Sequence, residues 1–254
     1  MTAKYRNITN KLSPVVALAL LVGVWAAVCG FGAIPASMLP SPLAVGRAFV
    51  SEFPVLLRHL KATLTESLAG LALGVALSFV FASLMDRFRA LYRAGYPLLV
   101  ISQTIPTIAI APLLVLWMGY GVQPKIALVV LTTFFPITVA LLDGYKSVDP
   151  DEISLLRSMG AGELQVFRYI KLPASLNSFF SGLKISASYA VVGAVIAEWL
   201  GGFDGLGVYM TKVKKAYAFD KMFAVIILIV LVSLALMLAV TALRKILTPW
   251  ERKV

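Results

Sequence analysis

The chain has 254 residues, of which 60% are hydrophobic and only 14% charged, with a mean hydropathy of +0.90; soluble domains carry about a quarter charged residues, so this one is built for lipid. Its net charge of +11 is not a nucleic-acid signature, because the basic residues flank apolar runs, where they set membrane orientation. One cysteine, Cys29, and one histidine, His59, exclude an intrachain disulfide and a Cys/His metal cluster, so no metal site is expected.

The first eleven residues are basic, and the apolar run after them lacks a small-residue cleavage site, which reads as a retained helix and not a removed signal peptide. Apolar runs occupy 14–34, 63–84, 96–118, 124–143, 176–199 and 222–243, each near the ~20 residues that span a bilayer. The expected fold is all-α, a six-transmembrane-helix bundle forming a single domain over 1–254. Between the first and second runs, IPASMLPSPLAVGRAF is rich in Pro and Ser and reads as a structured turn outside the membrane. His59 falls in the same outer segment. Gly70 and Gly74 make a small-xxx-small step for close helix approach, within the bundle or across a dimer. Only GYGVQPK separates the third and fourth runs. Pro97, Pro106, Pro112 and Pro136 lie in or beside the runs and require neighbouring helices to satisfy the carbonyls they free.

With the N-terminus inside, the inner segments hold Lys4, Arg6, Lys11, Arg87, Arg89, Arg93, Lys146, Arg157, Arg168, Lys171, Arg244, Lys245, Arg252 and Lys253. The outer ones hold Arg47, Arg58, Lys61, Lys125, Lys212, Lys214, Lys215 and Lys221. This bias of fourteen to eight places both termini in the cytoplasm.

Residues 149–173, DPDEISLLRSMGAGELQVFRYIKLP, form a polar island in this apolar chain. Asp149 suits an N-cap, Pro150 the first helical position, and Glu152 the returning half of a capping box. Ile153, Leu156 and Met159 then share one face, and Gly160 ends the helix where a left-handed residue is needed. A second short helix from about Glu163 puts Leu164, Phe167 and Ile170 on one side, before Pro173 opens the next span. Two short helices joined at Gly-Ala-Gly make a knob able to dock in a cleft of another protein. An amphipathic segment lying on the membrane is the alternative. Against it, Asp149, Asp151, Glu152 and Glu163 offset the basic residues and make anionic lipid a poor partner.

In the island Gly160 is followed, after nine residues, by Ile170, one spacer, Leu172 and Pro173. This resembles the cytoplasmic coupling loop of ATP-binding-cassette (ABC) importer permeases, whose pattern is EAA, three residues, Gly, nine residues, Ile, one residue, Leu-Pro. The EAA positions here are Ser154, Leu155 and Leu156, with the nearest acid at Glu152. The stretch SGLKISASYAVVGAVIAEWLGGFDGLGVYM and the MLPSP turn resemble the subfamily serving sulfonate, taurine, nitrate and pyrimidine-type solutes, so that the likeness covers about 35–245. It implies a type I importer permease working as a homodimer in a prokaryotic inner membrane. An extracytoplasmic binding protein would deliver solute, and a cytoplasmic ATPase would seat on the loop. The docking residues it implies are Glu152, Leu155, Leu156, Arg157, Gly160, Ala161, Phe167, Ile170, Leu172 and Pro173. By the same resemblance, ATP-driven closure of the ATPase pair moves the paired loops and rocks the bundles between inward- and outward-facing states.

No GxxxxGK[ST] phosphate loop occurs, so no cofactor is expected on this chain; ATP and Mg would sit on the partner ATPase. No catalytic set is visible, and neither a secondary transporter's buried relay and inner repeat nor a membrane enzyme's acid pair can be read. Polar and ionisable groups inside spans are candidates for the solute pathway. They are Glu198, then Ser102, Gln103, Thr104 and Thr107 around Pro106, with Thr132, Thr133, Ser186, Ser188 and Tyr189 as weaker versions. Glu198 precedes Trp199 and has a competing reading as an interfacial acid. Lys184 lies two turns beyond Pro173 and reads as snorkelling to the inner surface. Among solutes the span-five stretch is most similar to permeases for thiamine-precursor pyrimidines, with sulfonate, taurine, nitrate and riboflavin also open.

Overall fold

Apolar runs in lipid must satisfy their backbone internally, and here they do so as helices. The computed structural model describes residues 2–32, 34, 35 and 37–249, with no strand among them; Arg252 and Lys253 of the orientation argument lie outside the described residues. In chain order the helices are α1 (Thr2–Gly30), α2 (Pro42–Ser51), α3 (Phe53–Arg87), α4 (Arg89–Thr104), α5 (Thr107–Met118), α6 (Gln123–Lys146), α7 (Pro150–Ser158), α8 (Glu163–Val166), α9 (Leu172–Trp199), α10 (Leu206–Lys215) and α11 (Phe219–Leu247). Among the described residues five helices are long and apolar enough to cross a membrane, and six spans result when the bent pair α4–α5 counts as one.

Three boundaries differ from the expectations. The third span is not one straight helix: α4 and α5 meet at 99°. Ile105, before proline, is extended at φ −81°, ψ 119°, and Pro106 lacks the N–H to continue the ladder. The second span starts ten residues earlier than read, at Phe53, so His59 lies in a helix and not in a loop. Part of the outer turn is itself helical, since Ser41 Oγ accepts the Ala44 N–H at 3.2 Å and Pro42 starts α2.

The described chain divides into two units, Met1–Leu57 with Tyr209–Leu228, and Arg58–Val208 with Ile229–Val254. In the first, Val45, Ala48 and Ala224 form a small core flanked by Trp25, Phe49 and Phe223. Trp25 stacks on Phe223 at 5.8 Å between centroids, and its Nε1–H donates to the Pro40 carbonyl at 3.1 Å. Glu52 accepts from Lys221 Nζ at 2.5 Å and from the Tyr209 hydroxyl at 2.8 Å. The Lys221 hydrogen bond, then that of Tyr209, holds the Glu52 carboxyl below its usual range.

The second unit is organised on α6 and α9. Ile137, Leu141 and Tyr145 of α6 pack with Phe179, Phe180 and Leu183 of α9 and with Ala82 and Met85 of α3. Lipid tails are as apolar as leucine, so such helices associate through close packing and not through escape from water. Glycine makes that packing possible. A Cβ on Gly182 would lie 2.6 Å from Ala140 Cβ and 2.8 Å from the Pro136 carbonyl oxygen. On Gly70 it would lie 2.5 Å from Val129, so the small-xxx-small step seats α3 on α6 inside the bundle.

Candidate functional site

The polar island folds as a sharp elbow. Asp149 Oδ1 accepts the Asp151 N–H at 2.9 Å and Pro150 opens α7. The back-bond of a capping box is found instead one helix later, where the Gly162 N–H donates to Gln165 Oε1 at 2.8 Å. Gly160 has φ +89°, its N–H donates to the Arg157 carbonyl at 2.9 Å, and the Ala161 N–H donates to that of Leu156 at 3.2 Å. This pair of crossed bonds is the Schellman ending, which requires a left-handed residue at Gly160. Arg157 spans the elbow to Glu163 at 2.5 Å. The expected apolar face divides: Ile153 and Leu156 are half-buried, whereas Leu155, Met159 and Leu164 stand 65%, 75% and 78% exposed. No residue of α7 is buried.

Pro173 takes the second position of α9, as expected at the start of a span, but no break precedes it. The helical run is continuous from Glu163 to Trp199, through a π turn at Phe167–Lys171 in which the Leu172 N–H donates to the Phe167 carbonyl. A widened turn makes room for a proline ring that would strike the carbonyl four residues back in a regular helix. Of the predicted docking residues, Glu152, Leu155, Arg157 and Gly160 are exposed, while Leu156, Ala161, Phe167, Ile170 and Leu172 are half-buried and Pro173 is exposed. Phe167 faces Tyr145 edge-on at 5.4 Å. Lys171 holds Asp86 at 2.8 and 2.9 Å beneath the elbow.

Where α4 breaks from α5, a cavity of about 340 Å³ opens, lined by Ser102, Gln103, Thr107, Thr132, Phe135 and Tyr189 among others. Irregular backbone at membrane depth is tolerated where it borders such a cavity. None of the lining residues is ionisable at neutral pH. Thr104 lies beside the break, with its hydroxyl donating to the Ile101 carbonyl at 2.8 Å. Thr133 is fully buried against Gly74 and donates to the Val129 carbonyl at 2.8 Å. Ser188 lines a second hollow of about 550 Å³ with Lys184, Tyr189 and Arg244.

Glu198 sits elsewhere, 1% exposed, at the other end of α9 from the elbow. Its Oε1 accepts from the Thr63 hydroxyl at 2.7 Å and its Oε2 from the Gly207 N–H at 2.6 Å. Thr63 in turn accepts the Leu206 N–H at 2.8 Å, and His59 Nδ1 accepts the Gly205 N–H at 3.1 Å. Lys125 Nζ donates to Glu66 Oε1 at 2.7 Å and reaches the Asp204 carbonyl at 3.4 Å. Both of these side chains are buried. The Gly-rich turn is thus bolted to α3, α6 and α9 through side chains.

Residues 70–253 match the family model described as "Binding-protein-dependent transport system inner membrane component". The chain belongs to this family. The permease is 38% identical over 225 residues to a probable ABC transporter permease of Haemophilus influenzae, covering 89% of this chain and 92% of that one. It is 41% identical over 217 residues to the formylaminopyrimidine transport permease ThiX of Halalkalibacterium halodurans, covering 85% and 87%. In fold the permease is similar to the MetNI methionine ABC transporter in an inward-facing form, with a TM-score of 0.61, 19% identity, and 75% and 93% of the two chains covered.

The sequence points to Glu198 but not to Thr63, which bonds it, nor to the Glu66–Lys125 pair and His59, which hold the turn beside it. One signal was present. Glu66 is an acid inside the second apolar run, and such a group needs a partner. Lys125, at the start of the fourth run, was counted only as an orienting charge.

Proposed function

We propose that this permease passes a small uncharged heterocycle, favoured as a thiamine-precursor pyrimidine, delivered by an extracytoplasmic binding protein. It works as a homodimer with both termini cytoplasmic, and the 149–173 elbow seats in a cytoplasmic ABC ATPase that keeps ATP and Mg to itself. Leu155, Met159 and Leu164 are the apolar contacts offered to that ATPase, framed by Glu152, Arg157, Gly160 and Ala161. Phe167, Ile170, Leu172 and Pro173 carry the load into α9.

The observation that carries the solute reading is the charge-free cavity wall. Ser102, Gln103, Thr107 and Thr132 offer neutral donors and acceptors, and Phe135 and Tyr189 offer ring faces. A sulfonate or nitrate entering there would lose its hydration with no counter-charge to replace it. The likeness to the formylaminopyrimidine permease supports the same choice. Thr104 at the helix break, with Thr133, Ser188 and Glu198 along the same helices, completes the proposed pathway wall and its supports.

The test is uptake by the complex in liposomes with its binding protein and ATPase. Labelled formylaminopyrimidine should accumulate with ATP, and excess taurine should not compete. Preferential uptake of taurine, another sulfonate, nitrate or riboflavin overturns the solute reading. Uptake that persists without any ATPase overturns the importer mechanism in favour of a secondary transporter.

A further inference from the structure

The elbow is tied across space to the end of α3. Lys171, the last residue of the π turn, donates to Asp86 Oδ1 at 2.9 Å and to Oδ2 at 2.8 Å. Asp86 stands one residue before the end of α3 and 85 positions from Lys171 in the chain. The two side chains are 18% and 21% exposed, and among the described residues Asp86 has no other base and Lys171 no other acid within ion-pair distance. Arg87, next to Asp86, reaches Glu163 at 3.7 Å, but those side chains are 61% and 49% exposed and their pairing is worth little in water. The half-sheltered pair is screened less, and taking away one member leaves the other charge without compensation.

A hollow of about 440 Å³ opens beside it, walled by Ser83, Asp86, Arg87, Glu163, Phe167 and Lys171 among others, so this corner is loosely packed and the ion pair weighs more in it. The same two helices are joined again at their other ends, where the Thr63 hydroxyl of α3 donates to Glu198 Oε1 of α9 at 2.7 Å. Between the joints, the rings of Phe79 and Phe179 lie 5.0 Å apart. Thr63 and Asp86 are separated by about 35 Å of helix, and Lys171 and Glu198 by about 40 Å. Helices of such similar length, joined near both ends, cannot slide past each other without breaking a joint.

We propose that the Asp86–Lys171 pair makes α3 a second output of the ATPase stroke. The inference rests on the reading of the elbow as the ATPase seat. A displacement of the elbow arrives at Lys171, and there it divides: the backbone carries it into α9, and the ion pair carries it into α3. The two helices then move together and take with them the Gly-rich turn, which Thr63 and His59 of α3 hold at the Leu206 and Gly205 N–H groups and Glu198 of α9 holds at Gly207. Without the pair α9 is driven alone, and the Thr63–Glu198 bond meets the resulting shear. Coupling between two sites is reciprocal, so an event at the far end of α3 reaches the ATPase through the same pair. Asp86 and Lys171 touch neither solute nor ATP in this scheme; they are positioning residues.

The measurement is ATP hydrolysis by the permease–ATPase complex in liposomes, with and without its binding protein as purified from the same cells; it requires no knowledge of the solute. Asp86→Asn and Lys171→Met should each recover the natural amount of ATPase on a tagged permease and keep basal hydrolysis. Stimulation by the binding protein should fall about tenfold in both, a size typical of coupling between sites. Arg87→Gln should change stimulation less than about twofold. Asp86→Lys alone should behave like Asp86→Asn, and Asp86→Lys combined with Lys171→Asp should recover most of the stimulation. Four results overturn the proposal. They are unchanged stimulation in Asp86→Asn, a double exchange no better than Asp86→Lys alone, loss of ATPase from Asp86→Asn, and a lower thermal midpoint with stimulation per assembled complex intact, the mark of a pair that only holds the fold. A natural complex that recovers no ATPase, or whose hydrolysis ignores the binding protein, would fail the importer reading before any variant is made, and the link would fall with it.

Discussion

Replacing Gly160 by valine isolates the elbow from the rest of the protein. No atom lies within 4 Å of the position a Cβ would take, so the substitution meets no tertiary clash and acts on the backbone alone. At φ +89° an L residue pays about 1–2 kcal/mol, with a β-branched one at the upper end. If the turn rearranges to escape, it gives up the Gly160 and Ala161 bonds, each worth about 0.5–1.5 kcal/mol net. The Arg157–Glu163 pair goes with them, and being half-exposed it adds less than about 1 kcal/mol. A total of roughly 2–3 kcal/mol lowers the population of the correctly bent elbow about 30- to 150-fold. Folding itself survives, because typical stabilities of about 5–15 kcal/mol exceed that loss. Membrane insertion and yield should therefore be normal, while ATPase co-purified through a tag on the permease and ATP-driven uptake both fall steeply. The series should run Gly160→Asn mildest, then Ala, then Val, because asparagine tolerates the left-handed region best. Natural uptake and ATPase recovery in Gly160→Val, or an asparagine variant as damaged as the valine, would refute the backbone argument.

Further outcomes follow from other parts of the molecule. Gly182→Leu should abolish recovery of folded permease, since it drives α9 off α6, whereas Gly23→Leu, with nothing within 4 Å, should be neutral by thermal melting in detergent. Gln103→Leu should slow uptake severalfold with ATPase recovery unchanged, as expected of a cavity wall distant from the elbow. After Cys29→Ala, a membrane-impermeant thiol reagent should label Ser158→Cys only in inside-out vesicles and Phe203→Cys only in right-side-out cells; labelling on one common side would break the proposed topology. Glu52 has a lowered carboxyl pKa, so its contribution is complete above the usual value of 4.5 and is lost as pH falls through the lowered one. The acid-side fall in thermal midpoint should be shallower in Glu52→Gln.

Where a span lies was legible, because twenty apolar residues leave few other readings. Where a helix begins was less so, since α3 starts in FPVLLRHLKA, whose mixed charge resembles a loop until its helical spacing is weighed. The elbow was legible at Gly160, where one residue type answers one backbone need. Its junction with α9 was not: proline normally marks a helix start, and the π turn that accommodates Pro173 has no residue signature. At the end of α9 remote from the elbow, a single acid in a span implies that something must satisfy it. Which groups do so depends on contacts between residues 63, 66, 125, 198 and 207, which only the packing of α3, α6 and α9 brings together.

The unbroken run from Glu163 to Trp199 gives this protein a connecting rod. At 1.5 Å per residue its 37 residues measure about 55 Å, longer than the membrane is thick. One tip carries the elbow and the other, one residue from its end, carries Glu198. A tilt imposed at the elbow therefore swings the far tip in the opposite sense, with the α6 contact as fulcrum. The π turn lies next to the elbow, so the regular helix from Leu172 to Trp199 forms an uninterrupted arm beyond it.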